Sequence, residues 1–588
     1  MAAKVKTSGK LLIIILILGA IFVGKVYWYD KRPKEAKQST DIGKVALPDA
    51  PEASLKGNAK LLTLPSADVS ANGGTAITWK VMAWNAQFAL MYANGGAKTT
   101  KGSLIDNAKL QIEVVRQDDC NKLCADIVKF ANDYKNNTST PALFASFMGD
   151  GMPAFFAALV KELAPLGPDY QPIAFYTMGK SYGEDQVMGP PDWKRDPQMA
   201  KGKACACVLR DGDMNILLKW AGDNGIKVNP DEKTYDKDAI NLISANDFLD
   251  APAKYITGYK EVRKLVVNGK KINRDTTIGV DAVATWTPGD VNVAQKKGGL
   301  VTIASTKQYA TQMPNVTITV KKFAYDHRTD MENLIIALAQ AGDQVRSFKE
   351  AKKFAADISA KVYNEQTGDY WLKYYNGMED KDIQGLNVKL GGSMAFNLSD
   401  AASMFGLGAD KVDRYKIVYT TFGDIICKMY PELVPKYPEY STVVDKSFLQ
   451  SVVANHPELM EGTALKVTYS PEMTHEVSSK SYQIQFETGS AAIKPASYKE
   501  LDEILKSAIV AEGLKIGVYG HTDNVGNDAA NIKLSEDRAY AVKTYLIGKG
   551  LSTERIEARG YGSSKPIADN GTSAGKAKNR RVQIVLGE

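Results

Sequence analysis

The sequence predicts a mixed α/β protein in three parts: an apolar N-terminal helix, a long α/β region divided into two lobes, and a compact C-terminal α/β module. Three observations carry that prediction. Leu11 to Gly24 is uninterrupted apolar sequence behind Lys4, Lys6 and Lys10. From Ile77 to about Pro457, short apolar runs alternate with segments of helical spacing, the pattern of βα units with helices on both faces of a sheet. The remainder runs strand, helix, strand, helix, then strands. With 44% apolar and 24% charged residues, the 588-residue chain is neither wholly disordered nor a polytopic membrane protein. A net charge of +7 over this length gives no ground for a nucleic-acid partner.

The first part, residues 1–29, reads as a signal anchor. Its pure apolar run is shorter than the roughly 20 residues of a spanning helix. Snorkelling of Lys25 and an interfacial belt of Tyr27, Trp28 and Tyr29 extend it. No small-residue cleavage site follows, so an uncleaved single-pass helix is expected, with the basic end inside and the remainder exported. The apolar run holds no Asp or Glu, which argues against a proton-conducting stator. Residues 30–75 are rich in Lys, Ala, Ser, Pro and Gly and read as a linker, about 40 Å across as a coil and about 140 Å when stretched.

The middle region is expected over residues 76–457. Strands are predicted at Ile112 to Val115, Pro141 to Gly149, Val280 to Trp286 and Leu300 to Ser305. Helices are predicted at Cys124 to Tyr134, Pro153 to Leu163, Leu334 to Ala341 and Ala351 to Tyr363. Its length exceeds a usual single domain, hence two lobes. A second linker is expected at 458–480 and the C-terminal module at 481–588. In that module Tyr482, Ile484 and Phe486 alternate as in a half-buried strand, as do Leu514, Ile516 and Val518. Helical spacing joins Tyr498, Leu501, Ile504, Leu505 and Ala508.

The clearest motif set lies in this module: Phe486 with Ser490, Ala491 and Ile493; Gly520-His521-Thr522-Asp523; Asn531 with Leu534-Ser535 and Arg538-Ala539; Gly560-Tyr561-Gly562 with Pro566; and Asn579-Arg580-Arg581-Val582. In this register the module resembles the OmpA-like peptidoglycan-binding domain shared by outer-membrane protein A, Pal and the MotB stator tail. The resemblance implies an α/β sandwich that grips diaminopimelate-type stem peptides. Asp523 would take the ligand ammonium and Arg538 its carboxylate, a pairing that suits a guanidinium fork. Thr522, Asn531, Leu534 and Arg580 would line the site. Taken singly, Asp523 is an ordinary turn residue and Arg538 an ordinary solvated helix charge; the register of the whole set favours binding.

Two segments of the middle region, Trp84-Asn85-Ala86-Gln87 with Tyr92 to Gly96, and Gly299 to Ser305, together with the two-lobed pattern, are similar to type 2 periplasmic substrate-binding proteins. That resemblance implies a small-molecule solute held between the lobes by loops and helix N-termini. The strand-end residues Trp84, Asn85, Asp118, Asp150, Gly151, Asp211, Trp286, Asp290 and Ser305 are the candidate lining. A cleft this rich in Asp suits a cationic or hydroxyl-bearing ligand better than phosphate. For any one of them, a turn or core role is as good a reading.

Five cysteines and four scattered histidines form no familiar disulfide or zinc spacing, and buried thiols are the simpler reading. No nucleophile elbow, HExxH or phosphate loop is present, so no enzyme activity, cofactor or metal is expected. The expected whole is a cell-envelope protein anchored in the inner membrane, with its bulk in the periplasm, gripping peptidoglycan and carrying a solute-binding-like domain. The alternative is a transport-associated solute receptor positioned at the wall, which adds a membrane protein complex to the partners.

Overall fold

The computed structural model describes residues 64–210, 212–462 and 466–588. The expected anchor and most of the first linker lie outside the described residues. Among the described residues, no helix is long and apolar enough to cross a membrane.

Two six-stranded sheets organise the middle region. The first runs Ser393–Ala395, Pro172–Ser181, Pro314–Val320, Ala142–Met148, Thr75–Val81, Leu110–Arg116. Thr75–Val81 pairs in parallel with both Leu110–Arg116 and Ala142–Met148. Ala142–Met148 and Pro172–Ser181 are buried along their whole length, as strands covered on both faces must be. The second sheet runs Val301–Ser305, Gln186–Gly189, Ala282–Thr285, Ala204–Val208, Ala239–Ala245, Lys227–Asn229.

The chain crosses between the sheets at 182–185 and returns at 306–313. The two crossings are tied side by side: Gly183 N–H donates to Thr306 Oγ1 at 2.8 Å, Thr306 N–H to Asp185 O at 3.0 Å, and Lys180 Nζ to Ala310 O at 2.9 Å. After the return, helices Arg328–Ser347 and Lys349–Tyr363 cover Phe88–Asn94 on the first half. The hairpin Met378–Lys381 with Asn387–Leu390 instead reaches the second half, where Val388 and Leu390 pack on Val291 and Ala294.

The C-terminal module is a four-stranded sheet in the order Glu476–Tyr482, Val582–Gly587, Lys515–Gly520, Ile556–Gly560, covered by helices Tyr498–Val510 and Asp528–Gly548. Its first strand differs from the expectation. Alternation predicted a strand through Phe486, but the strand ends at Tyr482 and begins at Glu476, inside the expected second linker. Phe486 instead makes an isolated bridge to Ile493. Two glycines let the long helix lie directly on the sheet. A Cβ at Gly520 would fall 2.0 Å from Ser535 O, and one at Gly560 would fall 2.3 Å from Glu536 N. One continuous apolar core runs from Trp79 and Phe144 through Trp220 into Leu501, Ile516 and Leu586 of this module.

Candidate functional site

The helix Asp528–Gly548 starts at Asn527, whose side chain accepts from Ala530 N–H at 2.8 Å. The loop before it carries Thr522 and Asp523. Thr522 Oγ1 donates to Asp523 O at 2.9 Å, and Asn531 Nδ2 clamps the loop by donating to Val525 O at 3.1 Å. Asp523 Oδ1 accepts from Val525 N–H at 3.0 Å, while Oδ2 accepts from Arg580 at 2.5 Å. Burial would raise this carboxyl, but the Val525 N–H and the Arg580 guanidinium outweigh burial and hold it below the usual carboxylate range.

Arg538 lies in the middle of this helix, which begins ten residues earlier at Asp528. Its Nε donates to Ser490 O at 3.1 Å and its guanidinium sits 4.9 Å from the Phe486 ring centroid. Asp523 is thus held by Arg580 and Arg538 rests on Phe486, with Asp523 near enough to Arg538 to favour its charged form. Arg538 and Arg580 remain close enough that the charge of Arg580, after burial, disfavours a second positive charge on Arg538.

The two arginines flank a groove of about 330 Å³, also lined by Phe486, Lys494, His521 and Arg581. Leu534 is half-buried on the same helix as Arg538. Groove residues missed as site residues include Phe486, Lys494, His521 and Arg581. Phe486 and the Gly-His-Thr-Asp run were visible as motif, but nothing in the spacing marks Lys494. Arg581 does support the fold, donating to Lys565 O at 3.1 Å, yet its Nε has no hydrogen-bond partner. His521 Nε2 lies 3.1 Å from Gln583 Oε1, and Nδ1 has no partner. Burial, with the Arg581 charge behind it, pushes this imidazole down to about 4, so it is neutral at pH 7. Arg538 and Arg580 line the groove, Asp523 adjoins it through its bond to Arg580, and the arrangement suits a ligand bearing a carboxylate beside an ammonium.

The middle-region residues gather largely along the seam between the two halves. Trp84 Nε1 donates to Asp185 Oδ2 at 3.1 Å, and Trp286, stacked on Phe248, donates across the halves to Ala83 O at 3.2 Å. Asp290 is fully buried and accepts from Val291 N–H at 2.7 Å, Gly391 N–H at 3.0 Å and Gln186 Nε2 at 3.1 Å. Burial pushes its carboxyl up to about 6 against those bonds. Asp150 accepts from Gln312 Nε2 at 2.8 Å, and its backbone carbonyl accepts from Asn215 Nδ2 at 3.1 Å. Gly151 caps helix Met152–Leu163, which has Pro153 in its first turn.

Two of these candidates serve local structure. Asp118 is occupied by Ala83 N–H at 3.0 Å and by Arg116 at 2.5 Å, and Ser305 Oγ is bonded to Gln308 at 3.0 Å. Asp211 lies outside the described residues. Sequence reasoning missed Glu184 in the first crossing and Asn315 at the start of a strand. Glu184 is fully buried, and burial, then Asp185 and Asp290, raises its carboxyl well above the usual range. The amides of Asn85 and Asn315 are fully buried, and neither their oxygens nor their nitrogens have a hydrogen-bond partner. Among the described residues, no group of His, Cys, Asp and Glu is arranged to hold a metal.

Residues 485–580 match the OmpA family model. Over 100 residues the chain is 42% identical to outer membrane porin F of Pseudomonas fluorescens, covering 17% of this chain and 31% of that protein. It is 39% identical over 103 residues to peptidoglycan-binding protein ArfA of Mycobacterium tuberculosis, covering 18% of this chain and 32% of that one. The chain thus spans about a third of the length of these two relatives. The solved peptidoglycan-associated lipoprotein of Burkholderia pseudomallei aligns at 27% identity and a TM-score of 0.17, over 18% of this chain and 88% of that one. Phe486, Asp523, Arg538 and Arg580 all fall within the matched span, and residues 485–580 are an OmpA-family domain.

Proposed function

We propose that this is a cell-envelope protein that binds peptidoglycan without covalent attachment, through the groove between Arg538 and Arg580. The observation that carries the reading is the groove itself, lined by the guanidiniums of Arg538, Arg580 and Arg581, with the Asp523 carboxylate bonded to Arg580 beside it, inside the OmpA-family span. A diaminopimelate side chain presents an ammonium and a carboxylate on one carbon. Asp523 would receive the ammonium, and Arg538, with Arg580, the carboxylate. The mycobacterial relative ArfA is a peptidoglycan-binding protein, which supports the same ligand. No bond is made or broken in this account.

The test is retention of the full chain on purified sacculi. The Asp523→Ala, Arg538→Ala double variant is expected to lose it. Retention at the parent level would refute the assignment.

The finer points of the reading are an uncleaved inner-membrane anchor at residues 1–29, a linker at 30–75, and a periplasmic bulk in which residues 76–457 act as a solute receptor. Support for the receptor comes from the seam. Leaving a buried polar group unpaired costs about 1–3 kcal/mol. Asn85 and Asn315 each hold a donor and an acceptor in that state, and a polar solute between the halves would satisfy them. The alternative, a transport receptor positioned at the wall, would show itself by co-purification with a permease in mild detergent.

A further inference from the structure

The C-terminal module is seated where the two halves of the middle region join, and it is bonded to both sides of that junction. On the second half, buried Lys219 pairs with Asp223 and donates to Ser507 Oγ at 2.8 Å, and Asn224 Nδ2 donates to Val477 O at 3.3 Å. On the return crossing, Gly513 N–H donates to Gln308 O at 3.0 Å, and Thr311 N–H to Val510 O at 3.3 Å. Thr311 Oγ1 donates to Glu512 at 2.6 Å, and Gln308 Nε2 to Glu588 at 2.7 Å. Third, Arg414 donates to Glu512 at 3.3 Å from helix Arg414–Met429, which packs on helix Met152–Leu163 of the first half. The fit is close: a Cβ at Gly513 would lie 2.0 Å from Lys307 O.

None of these contacts uses the wall groove, whose lining lies elsewhere on the module. Burial would raise the Glu512 carboxyl, but Arg414 and Thr311, with Lys180 and Arg555 adding to them, hold it at about 2, so the seat keeps its charge at any physiological pH. Lys180 stands on the strand leading into the outward crossing and bonds Ala310 of the return crossing. The seat therefore bonds the return crossing directly and reaches the strand that leads into the outward crossing through the charge of Lys180.

We infer that the C-terminal module has a second function beside wall binding: it braces the junction of the two halves and sets the angle between them. A body bonded to both sides of a hinge biases its angle. Any ligand that changes the angle must then change the strength of the seat, and by reciprocity a change at the seat alters the affinity for that ligand. In a chain that grips the wall with one end of this module, the seat is the point at which solute occupancy and wall attachment would meet. The link to solute rests on the receptor reading above; the bracing does not.

The test is amide hydrogen exchange of the full chain, comparing the parent with Glu512→Ala combined with Thr311→Val. The expected result is at least tenfold faster exchange at Gly183, Asp185 and Thr306, whose amides bond within or across the crossings, with sacculus retention unchanged. Exchange at these amides within twofold of the parent would overturn the brace. Should the double variant fail to fold, Glu588→Ala removes the side-chain contact to Gln308 and leaves the bonds of Gln308 to Ser305 in place, and a two- to threefold acceleration at the same amides is expected. No acceleration there would also overturn it. Failure of the receptor reading would show separately, as a seam that takes up no solute in native mass spectrometry while the exchange result stands.

Discussion

The groove between Arg538 and Arg580 and the seam between the two six-stranded sheets place charged side chains in opposite surroundings. In the groove, Arg538 and Arg580 are half-exposed around a single carboxylate, so charge is cheap to maintain and free to meet a ligand from solution. In the seam, Glu184, Asp185 and Asp290 are fully buried beside unpartnered amides, so charge is costly, and the carboxyls of Glu184 and Asp290 shift toward their neutral forms. The difference teaches that acidic residues at strand ends do not by themselves define a recognition site. What distinguishes the two regions is whether solvent screens the charge and whether the opposite charge is already present.

The sharpest way to break this contrast is at the groove. Arg538→Ala with Arg580→Ala should lower sacculus retention about 100-fold or more, since each charged hydrogen bond contributes about 1.5–3 kcal/mol. Thermal stability should change little, because both side chains are at least partly open to solvent. The seam should answer in reverse. Trp286→Ala removes a buried aromatic stack and a hydrogen bond between the halves, and should cost about 3–5 kcal/mol in denaturant unfolding while leaving sacculus retention intact.

Two pH experiments sharpen the comparison further. Asp290 has a folded pKa of about 6, raised above its ordinary value. Its contribution to stability is therefore complete at low pH and is lost as pH rises through about 6. Relative to Asp290→Asn, the parent should lose on the order of 3 kcal/mol between pH 4 and 8. His521 has the opposite sign. Its folded pKa is depressed to about 4, so its contribution is present above pH 6.5 and is lost as pH falls. Relative to His521→Gln, the parent should weaken by roughly 1–3 kcal/mol between pH 7 and 4, the smallest effect of the set. Melting curves of each pair across that range check both.

Much of the fold was legible because alternation and helical spacing are local. The expected segments at Ile112, Pro153 and Ala351 all lie within observed elements. The side-chain partners were less legible. Asp523 and Arg580 lie 57 residues apart in sequence and meet only because the sheet brings their two strand ends together. Glu184 sits in a crossing with no periodicity to mark it, and Asn315 is the second residue of strand Pro314–Val320, where its side chain is one polar residue among alternating Val, Ile and Thr. The seat of the C-terminal module, built from Thr311, Arg414, Glu512 and Lys219, left no sequence signal, because it joins four segments that are ordinary in isolation.

The central claim is that the groove reads the two charges of a diaminopimelate side chain. Calorimetric titration of the full chain with a soluble stem tripeptide ending in diaminopimelate, against the same peptide ending in lysine, separates the carboxylate contribution from everything else. The account predicts binding of the first at least tenfold tighter than the second, with the difference abolished in Arg538→Ala. Equal affinity for the two peptides in the parent protein would contradict it.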